Sequence, residues 1–193
     1  MTENSNLQYI YELQQRVAEY EDAVAYKKIF LLFFLPLKSF SYSILKSNEA
    51  AEEVVSDVFV EIWARRKQLM EIENFKMYLY ISVRNASLRQ LQKIQKTKTL
   101  SLDDLDITFA CADLNAADSI ISKELVSKIE TAIEQLPPQC KIIYKLAKED
   151  KLKYKDISQL LSISVKTIDN QIATALKKIA SVLNLPVKKY STK

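Results

Sequence analysis

The 193-residue chain contains no glycine and no histidine, and only two cysteines, Cys111 and Cys140. Without glycine there is no phosphate-cradling P-loop, no dinucleotide fingerprint, no EF-hand loop and no nucleophile elbow. Each needs a backbone that bends sharply or approaches a ligand closely. Without histidine there is no Ser-His-Asp or Cys-His nucleophilic site, no haem ligation by His and no His-containing zinc site. Two cysteines without a CxxC are too few for a thiolate zinc site or a disulfide framework, and read as small apolar fillers in a reduced cytosol. The usual hairpin-turn residue is missing too, which argues against a sheet-rich fold. These absences imply an all-α, non-enzymatic protein with no cofactor and no bound metal.

Long apolar runs are also scarce. The most apolar stretch, residues 29–37 (IFLLFFLPL), contains Pro36 and lies between Lys28 and Lys38. It is about half the ~20 residues that a spanning helix needs, and reads as a core helix. The opening residues, MTENSNLQY, lack the basic and apolar regions of a signal peptide, so a cytoplasmic location is expected.

Charge is nearly balanced in total, with 28 Lys plus Arg against 24 Asp plus Glu, but it is unevenly placed. Residues 75–101 carry no carboxylate but include Lys76, Arg84, Arg89, Lys93, Lys96 and Lys98. Such a segment suits a polyanion, although a solvated helix face would use the same residues.

Apolar periodicity predicts a leading helix over 7–17 and a second over 22–45, which Pro36 should kink or divide. Asn48 is the expected cap of a third helix, 49–67, with Glu49, Glu52 and Glu53 where the helix dipole favours anions. Its apolar stripe is Val54, Val55, Val58, Phe59, Ile62 and Trp63, with Trp63 read as core rather than contact. After a connection at 68–73, Asn74 caps a long helix to about 96, with Met77, Ile81, Leu88 and Leu91 inward. Residues 99–118 hold five aspartates, no Lys or Arg and no sustained period, and read as an acidic linker. A metal site in its DDLD cluster is disfavoured, because linker carboxylates are usually just solvated. The domains are therefore expected at 1–98 and 119–193.

In the second domain a helix runs over 119–135, and Pro138 opens another that runs to about 148. Two more follow, 154–161 and 165–183, separated by Ser162, Ile163 and Ser164. Two helices across a three-residue turn, the second capped by Ser164, make a helix-turn-helix. Val165, Ile168, Ile172, Leu176 and Ile179 form the apolar stripe of the second helix. Lys166, Thr167, Asp169, Asn170, Ala173, Thr174 and Lys177 fall on its other side, where a recognition helix meets the major groove. An ordinary helical hairpin with a polar face is the plainer alternative.

The segment 136–183 resembles the promoter-binding C-terminal domain of extracytoplasmic-function sigma factors, in the sigma-70 family of bacterial RNA polymerase subunits. The residues that carry the likeness are Leu136-Pro137-Pro138, Tyr154-Lys155-Asp156-Ile157, Ser164-Val165-Lys166-Thr167-Ile168 and Ala175-Leu176-Lys177-Lys178. The N-terminal half is similar to the other domain of that family. Ala51-Glu52-Glu53-Val54-Val55-Ser56-Asp57-Val58-Phe59, followed by Glu61-Ile62-Trp63, matches its polymerase-binding helix. Tyr78-Leu79-Tyr80 and Arg84-Asn85 match the helix that reads and melts the minus-ten element. The likeness spans about residues 20–183. It departs from the family at Ser162, where a glycine is usual, at Lys153 in place of a capping serine, and at Ser56 in place of a frequent glutamine.

The resemblance implies a sigma factor that binds core RNA polymerase at the beta-prime clamp through Glu53, Ser56 and Asp57. It implies minus-ten contacts from Arg84, Asn85, Arg89 and Lys93, with Tyr78 or Tyr80 stacking on unpaired bases. Two residues apart on a helix, the two tyrosines cannot both face inward. The segment 66–74 corresponds to the loop that holds a flipped promoter base in the family. Lys166, Thr167, Asp169, Asn170, Thr174 and Lys177 would meet the minus-thirty-five element. An acidic linker would mimic nucleic acid in polymerase channels. An anti-sigma partner, membrane-bound in many members, is also implied and would hold the factor at the inner membrane. Two alternatives compete: a helix-turn-helix regulator acting without polymerase, and a helical adaptor that binds only protein.

Overall fold

The computed structural model describes residues 3–97 and 120–183, and the side-chain surroundings of 6–95 and 127–183. Among these residues every regular element is helical. The chain divides into two compact units, Met1–Asp106 and Ile107–Lys193. The linker expected over 99–118, and Cys111 within it, lie outside the described residues.

The first unit contains α1 (Glu3–Tyr20), α2 (Ala23–Leu45), α3 (Asn48–Ala64), a 3-10 turn (Arg66–Glu71) and α4 (Phe75–Thr97). Helix α2 starts where Asp22 Oδ1 accepts from the amides of Val24 (2.8 Å) and Ala25 (3.0 Å). Arg16 grips the other oxygen of that carboxylate at 2.5 Å. The Ala25 amide first, then Arg16, hold the Asp22 carboxyl below the usual range, with burial opposing them. Pro36 does not divide the helix, which runs unbroken through it to Leu45.

Helix α2 is the central element, packed by α1, α3 and α4. It is long and apolar enough, by length and composition, to span a membrane, a test that the core helix of a soluble protein also passes. Here Ala25, Ile29, Phe33, Leu37 and Phe40 are buried against the neighbouring helices. Phe33 meets Phe75 edge-on at 6.2 Å and Phe40 meets Tyr80 at 5.3 Å. Ser41 and Ser87 share a buried hydroxyl hydrogen bond of 2.8 Å, so two polar groups satisfy each other inside the α2–α4 contact.

The cap of α3 is Ser47 rather than Asn48. Ser47 Oγ accepts from the Ala50 amide at 3.2 Å, while Asn48 is already helical. Asn74 does cap α4, accepting from the Met77 amide at 3.1 Å. Helix α3 ends at Ala64, earlier than its pattern implies, and the chain tightens into the 3-10 turn. The α4 core face also differs from expectation. Met77 is buried, Leu88 and Leu91 are half-buried, and Ile81 is exposed, whereas Leu79, Tyr80, Val83 and Ser87 face inward. At about 100° per residue, Leu79, Tyr80, Val83 and Ser87 lie on one side and Ile81 lies across from it.

The second unit contains α5 (Ile120–Glu134), α6 (Pro138–Tyr144) running into a π-helical turn (Lys145–Glu149), α7 (Tyr154–Leu161) and α8 (Val165–Val182). Ala132, Ile133, Leu136, Cys140, Ala175 and Ile179 form a buried cluster where α5, α6 and α8 meet. Cys140 Sγ donates to the Gln171 carbonyl at 3.0 Å, and burial pushes its thiol pKa up despite the nearby Lys178 charge. Cys140 is therefore the core filler its sequence context suggested.

A chain without glycine must still turn corners. Among the described residues the left-handed positions are occupied by Glu21, Lys46, Lys151 and Ser162. Each costs backbone strain that glycine would avoid. Lys46 closes α2 and Ser162 closes α7, both as left-handed C-caps.

Candidate polymerase and nucleic-acid interfaces

On α3, Val54, Val55, Val58, Phe59 and Ile62 are buried and Trp63 is half-buried. The opposite side carries Glu53 and Asp57, both exposed, with Ser56 half-buried beside them. Sequence reasoning missed Val60. It is 68% exposed and continues the Glu53–Asp57 stripe by one further turn, so this face is acidic with an apolar patch at its C-terminal end. The signal was present in the spacing, because Val60 falls outside the inward stripe. Glu52 lies on the flank, where Lys38 of α2 pairs with it at 2.6 Å. Trp63 stacks with Tyr26 at 4.9 Å and carries the Arg66 guanidinium over its ring at 4.9 Å. Tyr26 donates its hydroxyl to the Phe59 carbonyl, and burial pushes its phenol pKa up.

Helix α4 separates the two tyrosines. Tyr80 is fully buried against Phe40, which removes it from any surface role. Tyr78 is half-buried and shares the outer face with Asn85, Arg89 and Lys93, all exposed. Helical geometry places Tyr78, Asn85 and Arg89 within about 40° of one another, with Lys93 slightly to one side. Arg84 is half-buried on the flank, about 100° from that stripe, so it does not share the face as its motif implied.

The segment 66–74 is not an open loop over most of its length. Its first six residues form the 3-10 turn, and the Leu69 side chain is buried. Lys67 and Gln68 point outward.

In the second unit the helix-turn-helix is α7 and α8. Ser164 Oγ accepts from the Thr167 amide at 3.0 Å and shares a 2.8 Å hydrogen bond with Thr167 Oγ1. Thr167 is half-buried, and its hydroxyl belongs to the cap. Lys153 precedes α7 without a side-chain capping bond, as its departure from serine implied. The inner face of α8 is Ile168, Ile172, Ala175 and Ile179. Val165 and Leu176 were expected in that stripe, but they are 43% and 39% exposed. Both sit about 60–80° round the helix from Ile168, at the edge of the core, and the neighbouring helices do not reach them.

Lys166, Asn170 and Lys177 are exposed on the side opposite Ile168, with Ala173 between them. Thr174 is also exposed, and its hydroxyl donates to the Asn170 carbonyl at 2.8 Å. Asp169 is exposed on the flank nearer α7, and its charge adds to burial in pushing the Tyr154 phenol pKa up. The outward stripe is thus cationic and amide-bearing, with its ammonium and amide donors away from the core. Among the described residues no group of three or more His, Cys, Asp or Glu is placed to hold a metal ion.

Comparison with known proteins agrees with this geometry. The family model described as Sigma-70 region 2 matches residues 35–97, and the one described as Sigma-70, region 4 matches 127–179. The sequence has no match among curated proteins. The fold is similar to that of the sigma factor RpoE from Bartonella quintana, solved in complex with the anti-sigma factor NepR. That likeness has a TM-score of 0.54 at 18% identity, covering 83% of this chain and 98% of the other. It is also similar to CnrH, solved with the cytosolic domain of CnrY. Here the TM-score is 0.51 at 15% identity, with 91% and 97% covered. With both sigma-70 regions in order and together spanning more than half of its length, this chain belongs to the sigma-70 family of RNA polymerase sigma factors.

Proposed function

We propose that this sigma factor docks on core polymerase through α3 and reads promoter DNA with one helix from each unit. Promoter recognition belongs to the family; the assignment of residues is ours. Glu53, Ser56 and Asp57, joined by Val60, form the docking face, an acidic surface with an apolar residue at its C-terminal end, suited to a basic helical partner such as the beta-prime clamp. Tyr78, Asn85, Arg89 and Lys93 engage the minus-ten region, with Arg84 assisting from the flank. The outward residues of 66–74 sit beside an extruded base. Lys166, Asn170 and Lys177 lead at the minus-thirty-five element, with Thr167, Asp169 and Thr174 around them. The chain performs no chemistry of its own.

The observation that carries this reading is the order of three different surfaces along one chain. An acidic helix face and a basic helix face lie in the first unit, and a capped recognition helix with an outward polar stripe lies in the second. A simple repressor has no use for the first two, and a protein-only adaptor has no use for the third. We assign the two units, with a boundary within 99–118, to these separate tasks. One solved relative was captured with an anti-sigma factor and the other with the cytosolic domain of its partner, which supports a cytoplasmic chain held in check by a partner of that kind.

The direct test is transcription in vitro from a genomic promoter library, using core polymerase from the same source. Specific initiation that requires the chain supports the reading. DNA binding that is unaffected by core polymerase, with no transcripts, would favour the regulator instead.

A further inference from the structure

Helix α1 lies outside the part of the chain that matches region 2, yet its principal packing partner is the 3-10 turn at 66–71, ahead of α2. Two polar contacts tie them together. Gln14 is 4% exposed and its Nε2 donates to the Leu69 carbonyl at 3.1 Å. That same carbonyl also accepts from the Ile72 amide at 3.3 Å, so Gln14 bonds the turn where it ends. At the other end Arg66 Nη2 pairs with Glu21 Oε2 at 2.8 Å, just past the end of α1. Arg66 Nη1 also donates to the Trp63 carbonyl at 3.0 Å, and its guanidinium lies over the Trp63 ring. A 3-10 turn has poor internal hydrogen-bond geometry and is uncommon beyond three or four residues. This one spans six, and its shape is therefore imposed by what it packs against.

We infer that Gln14 and Glu21 are positioning residues for minus-ten recognition: they act through Leu69 and Arg66 to preset the segment that meets the promoter. This rests on the reading that 66–74 contacts minus-ten DNA. The leading helix thereby becomes part of the specificity apparatus rather than a mere cover for the core. A base-binding surface tolerates displacement of only about 0.5 Å before discrimination suffers. A side chain buried 55 residues away in sequence, bonded to the turn's backbone, supplies that restraint without touching DNA.

The test uses full-length protein with core polymerase and a promoter library randomised over both elements. Gln14→Met keeps length and apolar packing but removes the donor. It is expected to flatten base preference in the minus-ten element about fivefold, the equivalent of one hydrogen bond, while the minus-thirty-five profile and core affinity stay as in wild type. Glu21→Arg and Arg66→Glu should each flatten the same positions, and the double reversal should restore preference. An unaltered minus-ten profile in Gln14→Met and Glu21→Arg overturns the inference. So does a double variant no better than Arg66→Glu, which would place Arg66 on the DNA directly. Lys67→Ala with Gln68→Ala separates the two levels. If that variant changes the minus-ten profile and Gln14→Met does not, only the role of α1 fails. If neither changes it, the DNA role of the segment fails as well.

Discussion

Ser158 and Ile163 hold each other across the helix-turn-helix corner: the Ile163 amide donates to the Ser158 carbonyl at 3.2 Å, and Ser158 Oγ donates back to the Ile163 carbonyl at 2.6 Å. Between them Ser162 takes the left-handed conformation, φ 55° and ψ 42°, which glycine adopts without strain. The reciprocal bonds offset strain of about 1–2 kcal/mol at that position. Ser162→Gly should stabilise the second unit by about 0.5–1 kcal/mol, the strain relief less the entropy glycine adds to the unfolded chain. Ser158→Ala should destabilise it by about 1 kcal/mol. Hydrogen exchange of the α7 and α8 amides in the full chain measures both. Slower exchange in Ser158→Ala would show that the corner does not depend on this pair.

Charge reversal on the docking face should weaken polymerase binding without unfolding the chain. Asp57 is exposed and Val60 is 68% exposed, so Asp57→Lys and Val60→Lys leave the core intact. Each is expected to reduce affinity for core polymerase about tenfold or more, as for a central interface residue. The fluorescence anisotropy of labelled sigma factor titrated with core enzyme measures this, with far-ultraviolet circular dichroism as the fold control. Wild-type affinity in both variants would move the docking surface elsewhere.

Removing two cations from the outer face of α4 should reduce promoter opening. Arg89→Ala with Lys93→Ala is expected to lower open-complex yield. The dependence of log K on log salt should become shallower by up to about 0.9 for each phosphate no longer neutralised, or about 0.7 where the strand is single. Permanganate footprinting across a salt series reads yield and slope together. An unchanged slope would mean that neither residue meets a phosphate.

Within α8, Asn170 and Lys177 should behave differently although both are exposed on one side. Asn170 lies near the capped end of the helix, and a side-chain amide there can pair with an adenine edge, an interaction worth about 1–3 kcal/mol of discrimination. Asn170→Ala should relax preference at one or two minus-thirty-five positions. Lys177→Ala should weaken all sequences alike, because a phosphate-neutralising charge carries no sequence information. Promoter-library selection with each variant distinguishes the two patterns, and an Asn170→Ala profile equal to wild type at every position would place the reading face elsewhere on the helix.

Acid should act on the second unit through Glu134. Lys141 is 5% exposed and pairs with Glu134 at 3.0 Å, with Lys145 at 3.4 Å on the other oxygen. Burial by itself would raise the Glu134 carboxyl pKa, but the hydrogen bond from Lys141 and the charge of Lys145 outweigh it and hold it low. Its folded pKa is thus below its unfolded one. The stabilisation is complete above the unfolded value of about 4.3 and is lost as pH falls through the folded value. Glu149 acts in the opposite sense, because burial raises its carboxyl pKa. Glu134→Gln isolates the first effect. It should cost about 1–2 kcal/mol at neutral pH, less than a fully buried pair because Glu134 is partly exposed, and should flatten the acid limb of stability. Denaturant titrations between pH 3 and pH 7 measure both, and an acid limb as steep as in wild type would assign it to other carboxylates.

Much of this architecture was legible in the sequence by itself. The absence of glycine and histidine argued against a sheet-rich fold and removed the motifs that depend on those residues. Breakers and caps at Asn74, Pro138 and Ser164 marked helix starts. The α7 and α8 boundaries, the Ser162 corner and the outward Lys166–Asn170–Lys177 stripe follow from period and punctuation, which are local properties of the chain. Tertiary packing decided what periodicity leaves open. Two tyrosines two residues apart must diverge, but only the position of Phe40 on α2 determines that Tyr80 is the buried one. Ile81, Val165 and Leu176 are apolar and sit within helical patterns, yet among the described residues no neighbouring helix covers them fully, because burial depends on the partner as well as on the residue. Ser47 rather than Asn48 caps α3 because the amide of Ala50 falls within reach of the first hydroxyl. The bond from Gln14 to Leu69 joins residues 55 apart, and such a pairing leaves no periodic trace. Helix period and capping are written along the chain; which face meets which neighbour is set only when the helices pack.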